Sequence, residues 1–440
     1  MKKKIIVIFT SCVVLFSIVE VSAQQSLRLS QTDCRKMALA YSEDLQKAGN
    51  ALKQAELDRE IAKTAMLPKF DASAIGAYMF PDMDMMGMKL RMRGTYMAGI
   101  NLTQPIYAGG KIRAGNRLAN IWEEVAEEQY RMTRMDVLME VDKAYWTYIA
   151  VGRKVRMLEK YYVQMDTLYR QAKVALTTGM VTENDLLRIE AKHSEIQYQL
   201  QKAQNGADLC RMSLCRMVGI DFDTEIEAVD TALVISEPDV LTSDIYDCPE
   251  LRLLEKQISV GKEQIRMARS EMLPTVGLTA NYMYYGNVKL NGMSNAADGT
   301  MIPFSQEFRE GLGMVMLAVK IPIFSWGENY KKVRKAKYEL HNAELDMQKN
   351  TRLLSIGVQQ AIQNVQNGYR LICTAEKGWL QANENLRVMR NRYATSMVPL
   401  ADLLDAQSQW QQAESNLIEA QTQYKIYETE YLRAIGALNF

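Results

Sequence analysis

The chain has few of the residues on which most enzyme and metal sites depend. His193 and His341 are the only histidines among 440 residues, and the six cysteines form no Cys-X-X-Cys pair. Neither a disulfide framework nor a zinc site is therefore indicated. The sequence also contains no glycine-rich phosphate loop and no nucleophile beside a base motif. These absences predict that the protein is not an enzyme and uses no metal or other cofactor.

The charge balance and the proline content exclude further classes of protein. The 53 basic residues nearly balance the 52 acidic ones, so no basic surplus suggests a nucleic-acid partner. Nine prolines in a chain of this length leave room for long helices. Beyond the N-terminal region, no apolar run is long enough for a transmembrane helix.

The N-terminal region has the pattern of an export signal. Lysines occupy positions 2–4, an apolar stretch covers positions 5–19, and Val21-Ser22-Ala23 has the small residues of a cleavage site. We predict a secretory signal peptide over residues 1–23. A lipoprotein signal at Cys12 is the alternative, and it is disfavoured because apolar sequence continues beyond that cysteine.

The remaining sequence is a tandem duplication. Short motifs recur 217 residues apart, and Met66-Leu67-Pro68 recurs 206 residues later, so we place an insertion in the second copy. We predict a first repeat over residues 24–219, a connection over residues 220–248 and a second repeat over residues 249–440. The pairs at the longer offset are Met180-Val181 with Met397-Val398, Asp185-Leu186-Leu187 with Asp402-Leu403-Leu404, and Gly219 with Gly436.

Each repeat contains two strand-like segments. Apolar and polar residues alternate in hairpins predicted at about residues 69–106 and 275–322, with a long loop expected over residues 286–309 of the second. Each strand is roughly ten residues long, which is the length of a tilted membrane-spanning strand.

Each repeat also contains long helices. A helix is predicted over residues 32–65, and much longer ones run over about residues 111–176 and 327–393. Tight turns at residues 177–182 and 394–399 lead into returning helices. Apolar residues repeat every seven positions along these helices, which predicts coiled-coil packing, and His193 falls on the same seam as a packed residue. Seam positions include Val141, Leu158, Met165, Ile189, Ile196, Val358, Val365, Ile372, Leu386, Leu403, Trp410, Leu417 and Tyr424.

Four strands per chain cannot close a membrane barrel alone. An open sheet edge in lipid would leave backbone groups without partners, and the smallest membrane barrels have eight strands. Two chains would supply eight strands and three chains twelve, and only the larger barrel leaves a lumen wide enough for solutes. We therefore predict that several copies share one barrel.

This arrangement resembles the TolC family of outer-membrane efflux channels. The resemblance covers nearly all of the chain after the signal peptide. It implies an α+β membrane protein in which a homotrimer forms a 12-strand transmembrane β-barrel, continuous with a periplasmic α-helical coiled-coil barrel. The motifs that carry it are Leu67-Pro68, Leu273-Pro274, residues 104–110, residues 321–327, Asn391-Arg392-Tyr393 and residues 402–407.

Two carboxylates just beyond the second tight turn are candidates for a gate. Asp402 and Asp405 lie three positions apart, so they share one helix face, and a trimer would stack them as two rings that favour cations. The alternative is that both only stabilise a helix N-terminus. The resemblance favours the periplasmic gate. It also implies a closed-state link between Asp185 and Tyr393, and the unusual Ser396 and Val398 suggest that this link is the only one.

The two turns are candidates for partner docking. Exposed methionine and valine suit adaptable apolar contacts. The resemblance implies that a periplasmic adaptor, also called a membrane fusion protein, docks there, whereas a self-packed turn is the alternative. The residues concerned are Gly179, Met180, Val181, Ser396, Met397 and Val398.

Methionines crowd the first hairpin. Thioether clusters bind Cu(I) or Ag(I), which suggests a metal site, but a methionine-rich filler in a protein with 28 methionines is the favoured alternative. The candidate ligands are Met83, Met85, Met86 and Met88.

The function implied is a passive exit duct in the outer membrane of a Gram-negative bacterium, extending into the periplasm. The duct would conduct small toxic compounds as part of a tripartite pump, with outer-membrane lipid around it and an inner-membrane transporter of the RND or ABC type as its energy source. Two alternatives remain open: the channel of a type I protein secretion system, and a periplasmic coiled-coil scaffold without a pore.

Overall fold

The structure is a computed structural model that describes residues 27–85, 88–230, 235–238, 240–295 and 300–439. The predicted signal peptide at residues 1–23 lies outside the described residues. The helices are α1 (Gln31–Tyr41), α2 (Glu43–Thr64), α3 (Lys111–Thr177), α4 (Glu183–Val218), α5 (Pro249–Ser270), α6 (Glu328–Ala394) and α7 (Leu400–Ala434). The strands are β1 (Leu27–Leu29), β2 (Lys69–Tyr78), β3 (Met83–Met85), β4 (Met88–Arg91), β5 (Arg93–Ala108), β6 (Ile226–Ala228), β7 (Thr275–Asn295) and β8 (Met301–Lys320).

The chain divides into two units. Within the described residues, one contains those at 27–46, 132–248 and 353–439, and the other contains those at 47–131 and 249–352. We call them the helical unit and the sheet unit and describe each by itself. Among the described helices, none combines the length and the apolar character needed to cross a lipid bilayer.

The long helices follow from the heptad pattern. Helices α3 and α6 each have 67 residues without proline, which corresponds to roughly 100 Å at 1.5 Å per residue. In the helical unit, the predicted seam positions pack into shared buried clusters, so the heptad prediction is confirmed. His193 lies between the rings of Tyr162 and Tyr169, at 5.0 and 5.5 Å, as a packed seam residue. Buried seam residues include Val141, Leu158, Met165, Ile189, Ile196, Val358, Val365, Ile372, Leu386, Leu403 and Trp410.

The first predicted helix is broken where we expected continuity. Ser42 adopts an extended backbone conformation, with φ −50° and ψ 119°, and separates α1 from α2. Its N–H donates to the Ala38 carbonyl at 2.8 Å, and its hydroxyl accepts from the Leu45 N–H at 3.3 Å. One serine therefore ends a helix and caps the next, a competition with helix hydrogen bonding that periodicity alone does not reveal.

A buried ion pair joins three helices of the helical unit. The Arg35 guanidinium of α1 donates to both Asp142 carboxylate oxygens of α3, at 2.8 and 2.5 Å. The Thr429 hydroxyl of α7 donates to the same carboxylate at 2.9 Å. Asp142 is fully buried, so these donors replace the hydration that its charge would otherwise have.

The sheet unit is built on an antiparallel sheet. Strand β2 pairs with β5, β5 with β7 and β7 with β8, while the short β3 and β4 extend the sheet beside the far half of β7. The register places residues of similar polarity side by side on the four long strands. The sheet therefore has one apolar face and one more polar face. One row is Phe70, Leu102, Ala280 and Val315, and the adjacent row on the opposite face is Asp71, Asn101, Asn281 and Met314.

The second hairpin is longer than predicted, and the loop expected over residues 286–309 is wrong. Strand β7 continues to Asn295 and β8 begins at Met301. The Asn and Gly residues of this segment suggested turns, but Asn287 lies in a register irregularity at φ 60°. Its side chain donates to the Arg93 and Gly94 carbonyls of β5 at 2.9 and 3.1 Å. Turn-forming residues thus make a bulge here.

The helices of the sheet unit follow the order of its strands. Arg59 of α2 pairs with Glu123 of α3 at 2.9 Å. Helix α3 then contacts α5 through Arg117 and Glu263, also at 2.9 Å. Leu340 of α6 lies against Gly261 of α5. The unit therefore has β2 and α2 at one edge and β8 and α6 at the other.

The buried ion pair predicts a large effect of removing its cation. Arg35→Leu leaves Asp142 buried without its cation, so we expect the free energy of unfolding to fall by about 3–5 kcal/mol. Denaturant unfolding in detergent, followed by circular dichroism, measures the change. Arg28→Leu is the control, because Arg28 and its partner Glu227 are both exposed and their pairing contributes little. Equal effects of the two substitutions would contradict the prediction.

Candidate gate at the helix turns

The two tight turns have the same backbone hydrogen bonding. Gly179 has φ 73° and Ser396 has φ 58°, so both occupy the left-handed region at the end of a long helix. The Met180 N–H donates to the Ala175 carbonyl at 2.9 Å, and the Met397 N–H donates to Arg392 at 2.8 Å. Both turns are therefore Schellman motifs, which satisfy the last carbonyls of α3 and α6.

The returning helices begin differently. Thr182 caps α4: its hydroxyl accepts from the Asp185 N–H at 3.2 Å and donates to the Asp185 carboxylate at 2.7 Å. Helix α7 follows Pro399, which provides no side-chain cap. Asp402, at the position matching Asp185, therefore has no capping hydroxyl to bind.

The two aspartates predicted to form a gate face away from the packed core. Asp402 and Asp405 are both exposed, whereas Leu403 and Ala406 beside them are buried in the seam. The Asp405 carboxylate accepts from the Gln409 amide at 2.7 Å, one turn further along α7. The structure thus puts both carboxylates on one accessible helix face, where they are available to solvent or to another copy.

Asp185 and Tyr393 lie within electrostatic range of each other. Burial raises the pKa of the Tyr393 hydroxyl, and the negative charge of Asp185 raises this pKa further, because it disfavours the phenolate. The hydrogen bonds described for the Asp185 side chain go to Thr182. The closed-state link between Asp185 and Tyr393 therefore stays a prediction of the sequence.

Both turns expose a methionine. The side chain of Met180 is 82% exposed and that of Met397 is 74% exposed. Gly179 and Ser396 are also exposed, while Val181 and Val398 are half-buried beneath them. Each turn therefore presents one flexible apolar side chain to its surroundings.

A family comparison decides what kind of protein carries this geometry. The model of the outer membrane efflux protein family matches residues 34–219 and again residues 247–437. The chain belongs to the outer membrane efflux protein family. It is an outer membrane protein with an efflux role, and its family is one of channels rather than enzymes. The resemblance drawn from the sequence motifs is thereby confirmed.

Individual members of the efflux family are distant in sequence and close in fold. The chain is 22% identical over 426 residues to the outer membrane protein TolC of Escherichia coli, covering 94% of this chain and 81% of TolC. The CmeC outer membrane channel of Campylobacter jejuni superposes with a TM-score of 0.78 at 19% identity, over 92% of this chain and 85% of CmeC. CusC superposes with a TM-score of 0.77 at 16% identity, over 96% of each chain.

The sequence analysis did not identify Arg390, a half-buried cation of this efflux protein. The Arg390 guanidinium of α6 donates to the Gln164 side chain of α3. Burial lowers the pKa of Arg390, and burial raises the pKa of Tyr161 nearby to about 12. The sequence does place this arginine directly after Met389, on the packed side of α6. Its partner Gln164 lies 226 residues away in sequence, so the contact could not be predicted.

The methionine cluster lies in the sheet unit, apart from the gate residues along the chain. Met83 is exposed, and strand β3 pairs with β4 so that Met85 is opposite Met88. Met86 lies outside the described residues. Among the residues that the structure describes, no group of His, Cys, Asp or Glu could hold a metal ion. A thioether site therefore stays a prediction of the sequence.

The turn at Ser396 predicts a stabilising substitution. A left-handed conformation costs a residue with a side chain roughly 1–2 kcal/mol, and glycine avoids this penalty. We expect Ser396→Gly to slow amide hydrogen exchange around Met397 by about tenfold, as measured by mass spectrometry of the turn peptide. Gly179→Ser is the matched control and should accelerate exchange around Met180. Unchanged exchange in both variants would show that the backbone angles do not limit opening.

Proposed function

We propose that the chain is one third of a passive exit duct for a tripartite efflux pump. Three copies pair their sheets into a 12-strand transmembrane β-barrel in the outer membrane. Their long helices continue this barrel as a coiled-coil tunnel in the periplasm. Small toxic compounds pass through it after a periplasmic adaptor and an inner-membrane transporter have engaged the channel.

The two-faced sheet is the observation that carries the proposal. The ten residues of β2 pair through β5 and β7 to β8, and ten residues match a strand that crosses a bilayer at a tilt of about 45°. The row of Phe70, Leu102, Ala280 and Val315 suits contact with lipid. The row containing Asp71, Asn101 and Asn281 suits a water-filled lumen.

The open edges of the sheet support sharing between copies. Within the described residues, β2 pairs only with β5, and β8 pairs only with β7. One edge of one copy can therefore pair with the opposite edge of the next, which is a head-to-tail contact that closes into a ring. Twelve strands give a lumen that eight would not.

An internal duplication explains the equivalence of the helices within each copy. Positive φ angles occur in pairs at the 217-residue offset, at Gly179 with Ser396 and at Gly219 with Gly436. The family model also matches two successive segments. These observations support repeats over residues 24–219 and 249–440 joined by a connection over residues 220–248.

The gate of the proposed duct consists of two carboxylate rings. Three copies of Asp402 and Asp405 at the tunnel end would repel one another and attract cations. A hydrogen bond from the neutral Tyr393 hydroxyl to the Asp185 carboxylate would help to hold neighbouring helices in the closed state. Opening then requires that these helices move apart, with the energy supplied by the inner-membrane transporter.

The helix turns are the proposed docking surface. The exposed Met180 and Met397 side chains suit an adaptor that inserts apolar residues between neighbouring tips. The transporter partner is of the RND or ABC class. The exported compounds are small molecules. Metal binding by the methionine cluster of the first hairpin would add soft metal ions to the exported substrates.

Assembly and partnership can be tested together. Detergent extraction from outer membranes, followed by native mass spectrometry, should give a mass three times that of one mature chain. Cross-linking in cells followed by purification should recover an adaptor with an RND or ABC efflux transporter. A water-soluble monomer would support the scaffold alternative and overturn the duct, whereas recovery of a protein-secretion transporter would favour the secretion alternative.

The carboxylate rings predict a change in ion selectivity. Asp402→Asn with Asp405→Asn removes six charges from a trimer, so we expect lower cation preference and higher conductance in planar bilayers. Glu183→Gln is the control, because this exposed acid lies in the first turn of α4 and outside the proposed rings. Unchanged selectivity in the double variant would remove the aspartates from the gate.

The exposed methionines predict a loss of docking. Met180→Asp with Met397→Asp places charges where apolar contacts are proposed, so adaptor cross-linking in cells should disappear while trimers persist. Met180→Leu with Met397→Leu keeps the apolar character and should retain cross-linking. Normal cross-linking of the aspartate variant would contradict the docking role.

A further inference from the structure

An exposed aromatic pair lies in the linker between β8 and α6. Trp326 is 85% exposed and Phe324 is 73% exposed, and their ring centroids are 5.0 Å apart at 61°. Trp326 has φ 52°, a left-handed conformation that is rare for a bulky side chain. A backbone conformation that costs free energy persists only when surrounding contacts compensate, so the exposure of this pair needs an explanation.

The first half of the chain has a glycine at the matching position. Gly109 precedes α3 with φ 62°, and a Cβ placed there would lie 2.5 Å from the Ser270 carbonyl oxygen and 3.0 Å from the Leu273 Cβ. The linker before α3 therefore fits closely against the end of the next helix, α5. A side chain at position 109 would not fit this contact.

Among the described residues of the sheet unit, no further helix lies beyond α6, because it is the last in the order α2, α3, α5 and α6. The segment that matches residues 270–273 follows α2 at the opposite edge of the unit. There Met66 and Leu67 are exposed, and Leu67 is 58% exposed. A ring of copies brings this edge of one copy against the α6 edge of the next.

We propose that Trp326 and Phe324 fill the seam between adjacent copies by packing on Met66 and Leu67 of the next copy. This inference rests on the ring of copies in the proposed function. Within one chain, Gly109 lets the linker lie directly against the end of α5, so no room remains for a side chain. The indole of Trp326 needs such room, so the seam between copies is wider than the seam within a copy. The aromatic pair excludes water where the sheet passes into the helices.

A belt at the lipid headgroups is the other role that an exposed tryptophan could have. A lipid belt would favour a tryptophan on both linkers, since both would meet the same membrane surface. Tyr107 keeps an aromatic ring at the position of Phe324, but Ala108, Gly109 and Gly110 lie at the positions of Ser325, Trp326 and Gly327, so the tryptophan has no counterpart. The asymmetry matches the difference between a seam within a chain and a seam between chains.

Cysteine cross-linking tests the seam. In full-length protein with Cys210→Ser and Cys373→Ser, oxidation of Trp326→Cys with Leu67→Cys should give covalent dimers and trimers on denaturing gels. The single variants should give neither. Ala108→Cys with Thr275→Cys is the intrachain control, because these residues are register partners on β5 and β7, and its bond should form within one chain without a ladder.

Two further measurements separate the outcomes. Trp326→Gly should lower the temperature at which trimers dissociate in detergent. Trp326→Tyr should keep this dissociation temperature close to that of the wild-type protein, because tyrosine retains an aromatic ring. The fluorescence of Trp326 is the part of the protein signal that Trp326→Phe removes. If brominated lipids quench this fluorescence, and the protein is a trimer by native mass spectrometry but forms no ladder, the pair belongs to a lipid belt. That result would refute the seam. A monomeric wild-type protein would instead refute the proposed duct.

Discussion

Backbone hydrogen bonds at the sheet edges are the constraint on which the rest of this molecule depends. Strands β2 and β8 each pair on one side within the described residues, so each has a row of outward N–H and C=O groups. Lipid offers these groups no partner, and each unsatisfied group costs several kcal/mol. Over the ten residues of β2, this penalty exceeds the total stability of a typical domain, about 5–15 kcal/mol. In the barrel that we propose, association between sheet edges is therefore a condition of membrane insertion.

Local periodicity explains why much of the fold could be predicted. The seven-residue repeat identified buried seam residues such as Val365 and Leu403, because a coiled coil depends on spacing along one helix. The strand alternation likewise identified Phe70 and Asp71 on opposite faces. Ser42 and Asn287 were missed, since each binds a backbone group that competes with the regular pattern. The partners of Asp142 were also missed, because they come from helices 107 and 287 residues away.

The candidate gate shows how equivalent positions acquire different roles. Asp185 follows Thr182 and is held by its hydroxyl, which fixes the carboxylate at the start of α4. Asp402 follows Pro399, so its carboxylate has no capping partner and is exposed. The sequence motif around the two aspartates is the same, and the difference lies three residues earlier. Sequence reasoning found both residues, but only their caps distinguish a fixed carboxylate from one available to a neighbour.

In the ring of copies that we propose, the divergence between the two halves of the chain has a geometric reason. Seams between neighbouring helices alternate around such a ring, first within a chain and then between chains. Chain connectivity holds the first kind together, whereas side chains alone must stabilise the second. Gly109 gives a close backbone contact within the chain, and Trp326 adds apolar area at the matching position. Because burying apolar area contributes about 25 cal/mol per Å², a tryptophan suits the seam without a covalent link.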